Sequence, residues 1–181
     1  MSSWRRNPFF WALVGLSLIT LGFAVWQWDE GRRLVAAQSR PAAQSKPAPD
    51  FRLPATDGST VSLRDLRGQV VLMNFWATWC PPCQAEMPDL NALARDHGAK
   101  HNFVVVGVNV EEERGTVEAF VRQYHIAFPV LLDASGDVTA HDYNIRTLPM
   151  SLIVDRQGNI RDTWTGQLTQ AAMLARLERV W

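Results

Sequence analysis

The run Val70-Val71-Leu72-Met73-Asn74-Phe75-Trp76 is short, apolar almost throughout and opens on β-branched residues. That is the pattern of a strand buried on both faces, which calls for an α/β sheet covered on both sides. Both cysteines of the chain follow at once, in Trp79-Cys80-Pro81-Pro82-Cys83. A helix that begins at the first sulfur places the second within bonding reach one turn later.

The rest of the carboxyl-terminal part reads as alternating strands and helices. Phe51-Arg52-Leu53 and Val61-Ser62-Leu63 flank Thr56-Asp57-Gly58-Ser59, and an Asp-Gly pair between short apolar stretches signals a hairpin. The helix that opens at the cysteines should run to about Ala94 and end near His97-Gly98. Phe103 to Val110 reads as a second buried strand, Thr116 to His125 as an amphipathic helix, and Val130 to Leu132 as a third short strand. Ser151 to Val154 and Ile160 to Trp164 form strands around the turn Asp155-Arg156-Gln157-Gly158-Asn159, before a closing helix over Thr169 to Val180. Together these predict a mixed central sheet with flanking helices and a β-hairpin extension at its start, in one domain over residues 49–181.

The amino terminus has a different composition. Phe9 to Trp28 is twenty residues without a charge, about 30 Å as a helix, which matches the hydrocarbon thickness of a bilayer. Arg5 and Arg6 precede it, and Trp4, Trp11, Trp26 and Trp28 cluster toward its ends, where indole rings favour the interface. The expectation is a short cytoplasmic segment (1–8), a single uncleaved transmembrane anchor (9–28) and a flexible linker (29–48) in which Pro41 and Pro47 block regular structure. A cleavable secretory signal is the alternative, although its apolar region runs to only about 7–15 residues. From Ala48 onward 12 basic residues face 16 acidic ones, a balance that excludes a nucleic-acid partner.

A lone CxxC can be half a zinc site, a structural bridge or a redox pair. Zinc wants about four ligands, and beyond the cysteines the chain offers only the scattered His97, His101, His125 and His141. A structural bridge gains its stabilisation from enclosing a longer loop than two residues. The strand-to-helix setting favours the redox pair. At the helix start, unpaired N–H groups and the positive end of the helix dipole favour thiolate at Cys80, which makes it the attacking sulfur and Cys83 the resolving one. Pro81 and Pro82 suit the first helical turn, yet neither offers an N–H to the Cys80 sulfur. A less stabilised thiolate leans the pair toward reducing others.

Asn74-Phe75-Trp76-Ala77-Thr78-Trp79-Cys80-Pro81-Pro82-Cys83 resembles the active site of the TlpA/ResA-like branch of thioredoxin-fold, membrane-anchored thiol–disulfide oxidoreductases. The similarity extends through Ala48-Pro49-Asp50-Phe51, Gly68-Gln69-Val70-Val71, Glu86-Met87-Pro88, Phe128-Pro129-Val130, Leu148-Pro149 and Val154-Asp155. It implies a thioredoxin-like fold in which Pro149 is a cis-proline facing the dithiol and the Leu148 backbone pairs with substrate. It further implies that Trp79 is an exposed ring beside the sulfur, Trp76 a packed neighbour and Pro88 a kink in the helix; residue type alone would bury both tryptophans. Trp79, Pro81, Pro82, Leu148 and Pro149 are thus the implied substrate-binding set. Thioredoxins proper carry a buried acid six residues before the first cysteine, where this chain has Asn74. The resemblance offers Glu86 as the substitute, a carboxyl with a raised pKa that moves the proton of Cys83.

The resemblance implies no cofactor beyond the redox-active Cys80–Cys83 disulfide. It implies exported cysteine-containing proteins as substrates, apocytochrome c thiols included, and a membrane thiol donor to recharge the pair. The soluble domain would then sit in the periplasm, or outside, held at the cytoplasmic membrane. Cytochrome-maturation members often carry a glutamate after the cis-proline, where Met150 stands here. Two other functions compete. A thiol peroxidase would need a threonine or serine at Ala77 and a proline at Met73. A tethered copper-binding module would use the same soft sulfurs, without a methionine or histidine cluster beside them.

Overall fold

The structure, a computed structural model, describes residues 46–181. The expected segment 1–8, the membrane helix 9–28 and most of the linker lie outside the described residues. No helix among the described residues is long and apolar enough to cross a membrane.

In chain order the elements are β1 (Lys46–Pro47), β2 (Arg52–Pro54), β3 (Thr60–Ser62), β4 (Val70–Trp76), α1 (Pro81–His101), β5 (Phe103–Val110), α2 (Arg114–Gln123), β6 (Val130–Asp133), β7 (Met150–Val154), β8 (Asn159–Thr165) and α3 (Gln170–Leu177). One six-stranded sheet has the order β1-β8-β7-β4-β5-β6, and β2 pairs with β3 in a separate hairpin. β4, β5 and β6 are parallel, joined by crossovers through α1 and α2, whereas β7 and β8 are antiparallel and need only the Asp155–Asn159 turn. This is the mixed sheet the sequence predicts.

Every residue of β4 is buried, and the strand feeds two cores. Val70, Leu72 and Trp76 meet α1, α2 and α3 residues such as Leu90, Leu93, Phe120, Met173 and Leu177. Val71, Met73 and Phe75 point the other way, toward Phe51, Leu53, Leu63, Val138 and Ile145. Burial of each such side chain is worth about 1.5–3 kcal/mol, so the strand is fixed from both sides. The three α-helices all serve one face; the hairpin and short helical turns cover the other.

Several boundaries differ from expectation for local reasons. α1 passes through Gly98 and stops at Asn102, which takes a left-handed conformation (φ 49°) and bonds its N–H to Gly98 O. Asn102 is also tied to the start of β4, donating from Nδ2 to Gly68 O at 2.9 Å and accepting Val70 N–H at 3.1 Å. The helix therefore ends where it can be fastened to the strand. α2 begins at Arg114, whose guanidinium reaches Ala55 O at 3.0 Å. α3 begins one residue later than expected because Thr169 is its cap, the hydroxyl accepting Ala172 N–H, and it ends at Leu177, ahead of the expected Val180. Lys46 and Pro47, placed by the sequence reading in the linker, instead pair with β8, where an edge position tolerates proline. The turn of π-helix at Val138–Asp142 was not foreseen; the Asp133 carboxylate holds it by accepting Thr139 N–H at 2.8 Å and the Thr139 hydroxyl at 2.6 Å.

Gly107 of β5 makes room for Trp76: a Cβ there would lie 2.9 Å from Trp76 Nε1 and 3.1 Å from Phe128 Cε2. Gly107→Ala should therefore destabilise the fold by about 1–3 kcal/mol through overpacking, read as a lowered midpoint in chemical denaturation.

Candidate active site

β4 delivers Cys80 to the start of α1. Cys80 is the N-cap, extended at φ −93° and ψ 106°, with Pro81 and Pro82 in the first turn behind it. Its sulfur is bonded to that of Cys83, with Cα atoms 5.2 Å apart, and accepts the Cys83 N–H at 3.3 Å. The two prolines leave the Cys83 N–H as the only backbone donor to that sulfur among the described residues. Cys80 is 4% exposed and Cys83 is fully enclosed. The pair expected from the sequence is thus assembled, with one sulfur at the surface and one behind it.

Trp79, at 68%, is the one large apolar side chain strongly exposed among the described residues, whereas Trp76 is buried against Phe120 with ring centroids 4.9 Å apart. The Leu148–Pro149 peptide bond is cis. A groove of about 600 Å³ runs past the dithiol, walled by Trp79, Cys80 and Pro82 on one side and by Ile145, Arg146 and Leu148 on the other. Pro149 is buried immediately before β7 and, unlike Leu148, is not part of the groove lining. Of the residues expected to bind substrate, Trp79, Pro81, Pro82 and Leu148 line this groove. Pro88 lies on the exposed side of α1, which continues through it.

Glu86 sits one turn beyond Cys83 with no exposed surface. Its Oε1 accepts from Asn74 Nδ2 at 2.7 Å, and the same amide donates to Ser151 Oγ at 2.9 Å. Asn74 and Ser151 face each other across β4 and β7, so sheet register builds this polar trio inside the core. Glu86 Oε2 makes no hydrogen bond. Burial pushes the carboxyl pKa up to about 7, while the Asn74 amide and the Leu168 backbone pull more weakly the other way. An acid poised near neutrality one helical turn beyond Cys83 can accept a proton and return it.

Sequence reasoning missed Glu112 and Gln84, which hold the loop before Cys80. Glu112 belongs to the acidic run Glu111-Glu112-Glu113, which reads from sequence as solvated surface. Only the turn after β5 reveals that one of the three faces inward.

A parallel-centred sheet, a dithiol at a helix start and a cis-proline just before β7 define a thioredoxin-fold thiol–disulfide oxidoreductase. The AhpC/TSA family matches residues 45–163. The thioredoxin-like protein YneN of Bacillus subtilis (strain 168) is 37% identical over 172 residues, spanning 92% of this chain and 96% of that protein. The thiol-disulfide oxidoreductase ResA of Geobacillus kaustophilus (strain HTA426) is 35% identical over 133 residues, 74% of this chain and 75% of the relative. A crystal structure of a thiol:disulfide interchange protein from Chlorobium tepidum TLS is similar with a TM-score of 0.68 at 28% identity, covering 76% of this chain and 97% of that one. The chain belongs to the AhpC/TSA family and, within it, to the TlpA/ResA-like thiol–disulfide oxidoreductases.

The folded pKa of Glu86 lies above its ordinary value of 4.5, so the native state keeps a proton that the unfolded chain releases between pH 4.5 and about 7. Stability falls as pH rises through that window and stays lowered above it. Glu86→Gln removes this slope. In thermal melts of the oxidised protein the variant should gain on the parent from about pH 5 to about pH 8, by roughly 2–3 kcal/mol.

Proposed function

We propose that this chain is a disulfide reductase of exported cysteine-containing proteins, apocytochrome c among the candidates. Its apolar Phe9–Trp28 segment would hold it at the outer face of the cytoplasmic membrane, with Arg5 and Arg6 inside. The observation that carries the direction of transfer is the poverty of donors at Cys80. A strong oxidant is one whose reduced form is stabilised, and among the described residues one N–H at 3.3 Å is the only backbone donor aimed at this sulfur.

The Cys80 thiolate attacks one sulfur of a substrate disulfide docked along Leu148 and Pro149, under the Trp79 ring. The substrate S–S bond breaks, its departing thiolate takes a proton from solvent, and a mixed disulfide joins Cys80 to the substrate. Cys83 then passes its proton to the Glu86 carboxylate and attacks Cys80 Sγ. The second substrate thiolate leaves, and the Cys80–Cys83 bridge seen here results. Two electrons have gone to the substrate, and a membrane dithiol restores the pair by the reverse exchange.

The competing thiol peroxidase reading needs a hydroxyl and a proline where Ala77 and Met73 stand, both buried and apolar. No cofactor beyond the dithiol enters this reading.

Two measurements test the proposal. Cys83→Ser should trap exported proteins on Cys80 as mixed disulfides that dithiothreitol releases; an empty Cys80 in cells would refute the reading. Pro82→Ala restores a donor in the first turn and should lower the Cys80 pKa by roughly half to one unit, with a more oxidising potential. A parent potential as high as about −120 mV would reverse the assigned direction.

A further inference from the structure

Thr78 stands two residues before the attacking sulfur, and all of its hydrogen-bonding groups are engaged. Its N–H donates to Glu112 Oε2 at 2.7 Å and its hydroxyl donates to Glu112 Oε1. Its carbonyl accepts the Gln84 side-chain amide at 2.6 Å. Each clamp residue is itself braced: Glu112 Oε2 also accepts from Asn109 Nδ2 at 2.7 Å, and Gln84 Oε1 accepts the Tyr124 hydroxyl at 3.4 Å.

The next residue in the chain is Trp79, whose exposed ring makes no hydrogen bond within the described residues. Its orientation over the groove is inherited from the backbone that Thr78 fixes. Apart from the bonds that tie Cys80 to α1 (Gln84 N–H to Cys80 O at 3.0 Å, Cys83 N–H to Cys80 Sγ at 3.3 Å and the disulfide), the loop from Ala77 to Cys80 is held by a turn bond, Cys80 N–H to Ala77 O at 3.3 Å. Glu112 lies beyond β5, far from the dithiol in sequence, and the exchange chemistry makes no use of it.

We propose that Glu112, with Gln84 as its counterpart, is a positioning residue that sets the Trp79 platform and the Cys80 sulfur for docking of protein substrates. The inference rests on the assignment of Cys80 as the attacking sulfur. It concerns geometry rather than charge, and the side chain allows the two to be separated. Glutamine at 112 keeps one oxygen to accept the Thr78 and Asn109 N–H groups, and its amide can donate to the Thr78 hydroxyl oxygen. Alanine removes both the charge and the clamp.

The test compares Glu112→Ala, Glu112→Gln and Thr78→Val in the full chain, with dithiothreitol as donor and insulin as the protein disulfide. Iodoacetamide alkylation of Cys80 against pH runs in parallel. Glu112→Ala should lower kcat/KM for insulin about tenfold, mainly through KM, as expected when a reacting group is displaced by a fraction of an ångström to an ångström. Glu112→Gln should stay within about twofold of the parent, and the alkylation profile should shift by less than about half a unit in every variant.

Parent-like kcat/KM in Glu112→Ala would overturn the proposal. So would a Glu112→Gln variant as impaired as the alanine with a shifted Cys80 titration, since charge would then be the cause. Should Glu112→Ala melt below the assay temperature, Thr78→Val decides: a raised KM supports the clamp and an unchanged one refutes it. Parent activity on insulin that Cys80→Ser abolishes establishes the exchange chemistry separately, so a fault there is told apart from a fault in the clamp.

Discussion

The strand β4 is enclosed on both faces and hands its chain, after three residues, to the amino end of a long helix. Two cores grip the strand, so the position of Cys80 is set by packing on either side of the sheet rather than by the loop that carries it. The helix then supplies direction. Its first-turn N–H groups face the sulfur, and replacing two of them by prolines limits how far the thiolate is stabilised. Scaffold and reactivity thus share one junction.

Within that core the molecule keeps three polar side chains in a row. Asn74 spends both amide hydrogens, one on Glu86 and one on Ser151, and sheet register keeps all three aligned. Burial of the Glu86 carboxyl outweighs the Asn74 and Leu168 bonds that favour its charged form, which raises its pKa to about 7. A second polar network, around Thr78, sits at the rim. The inner network is buried in the core, and the outer one fixes the loop ahead of Cys80.

Much of this was legible in the sequence because it rests on local pattern. The β-branched run, the Asp57-Gly58 and Gly158-Asn159 turns and the cysteine spacing each carry their structure within a few residues. What stayed hidden depends on partners distant in the chain. Gly98 reads as a helix stop, yet Asn102 ends the helix because Gly68 and Val70 are there to receive it. The π-helical turn needs the Asp133 carboxylate, and β1 needs the free edge of β8. Trp79 and Trp76 are chemically alike, and only the resemblance to known families separated the exposed ring from the packed one. Glu112 could not be told from its acidic neighbours without the turn that aims it at Thr78.

The full enclosure of Cys83 has a consequence for durability. Sulfur oxidation climbs from sulfenic to sulfinic and sulfonic acids only where oxidant can reach a thiolate. Here only the outer sulfur has any exposed surface, and its neighbour one turn inward stands within bonding distance to condense with a sulfenic acid formed there, releasing water. Condensation of that kind returns the pair to the ordinary disulfide, so the spacing of the two sulfurs gives a first oxidation at Cys80 a reversible exit.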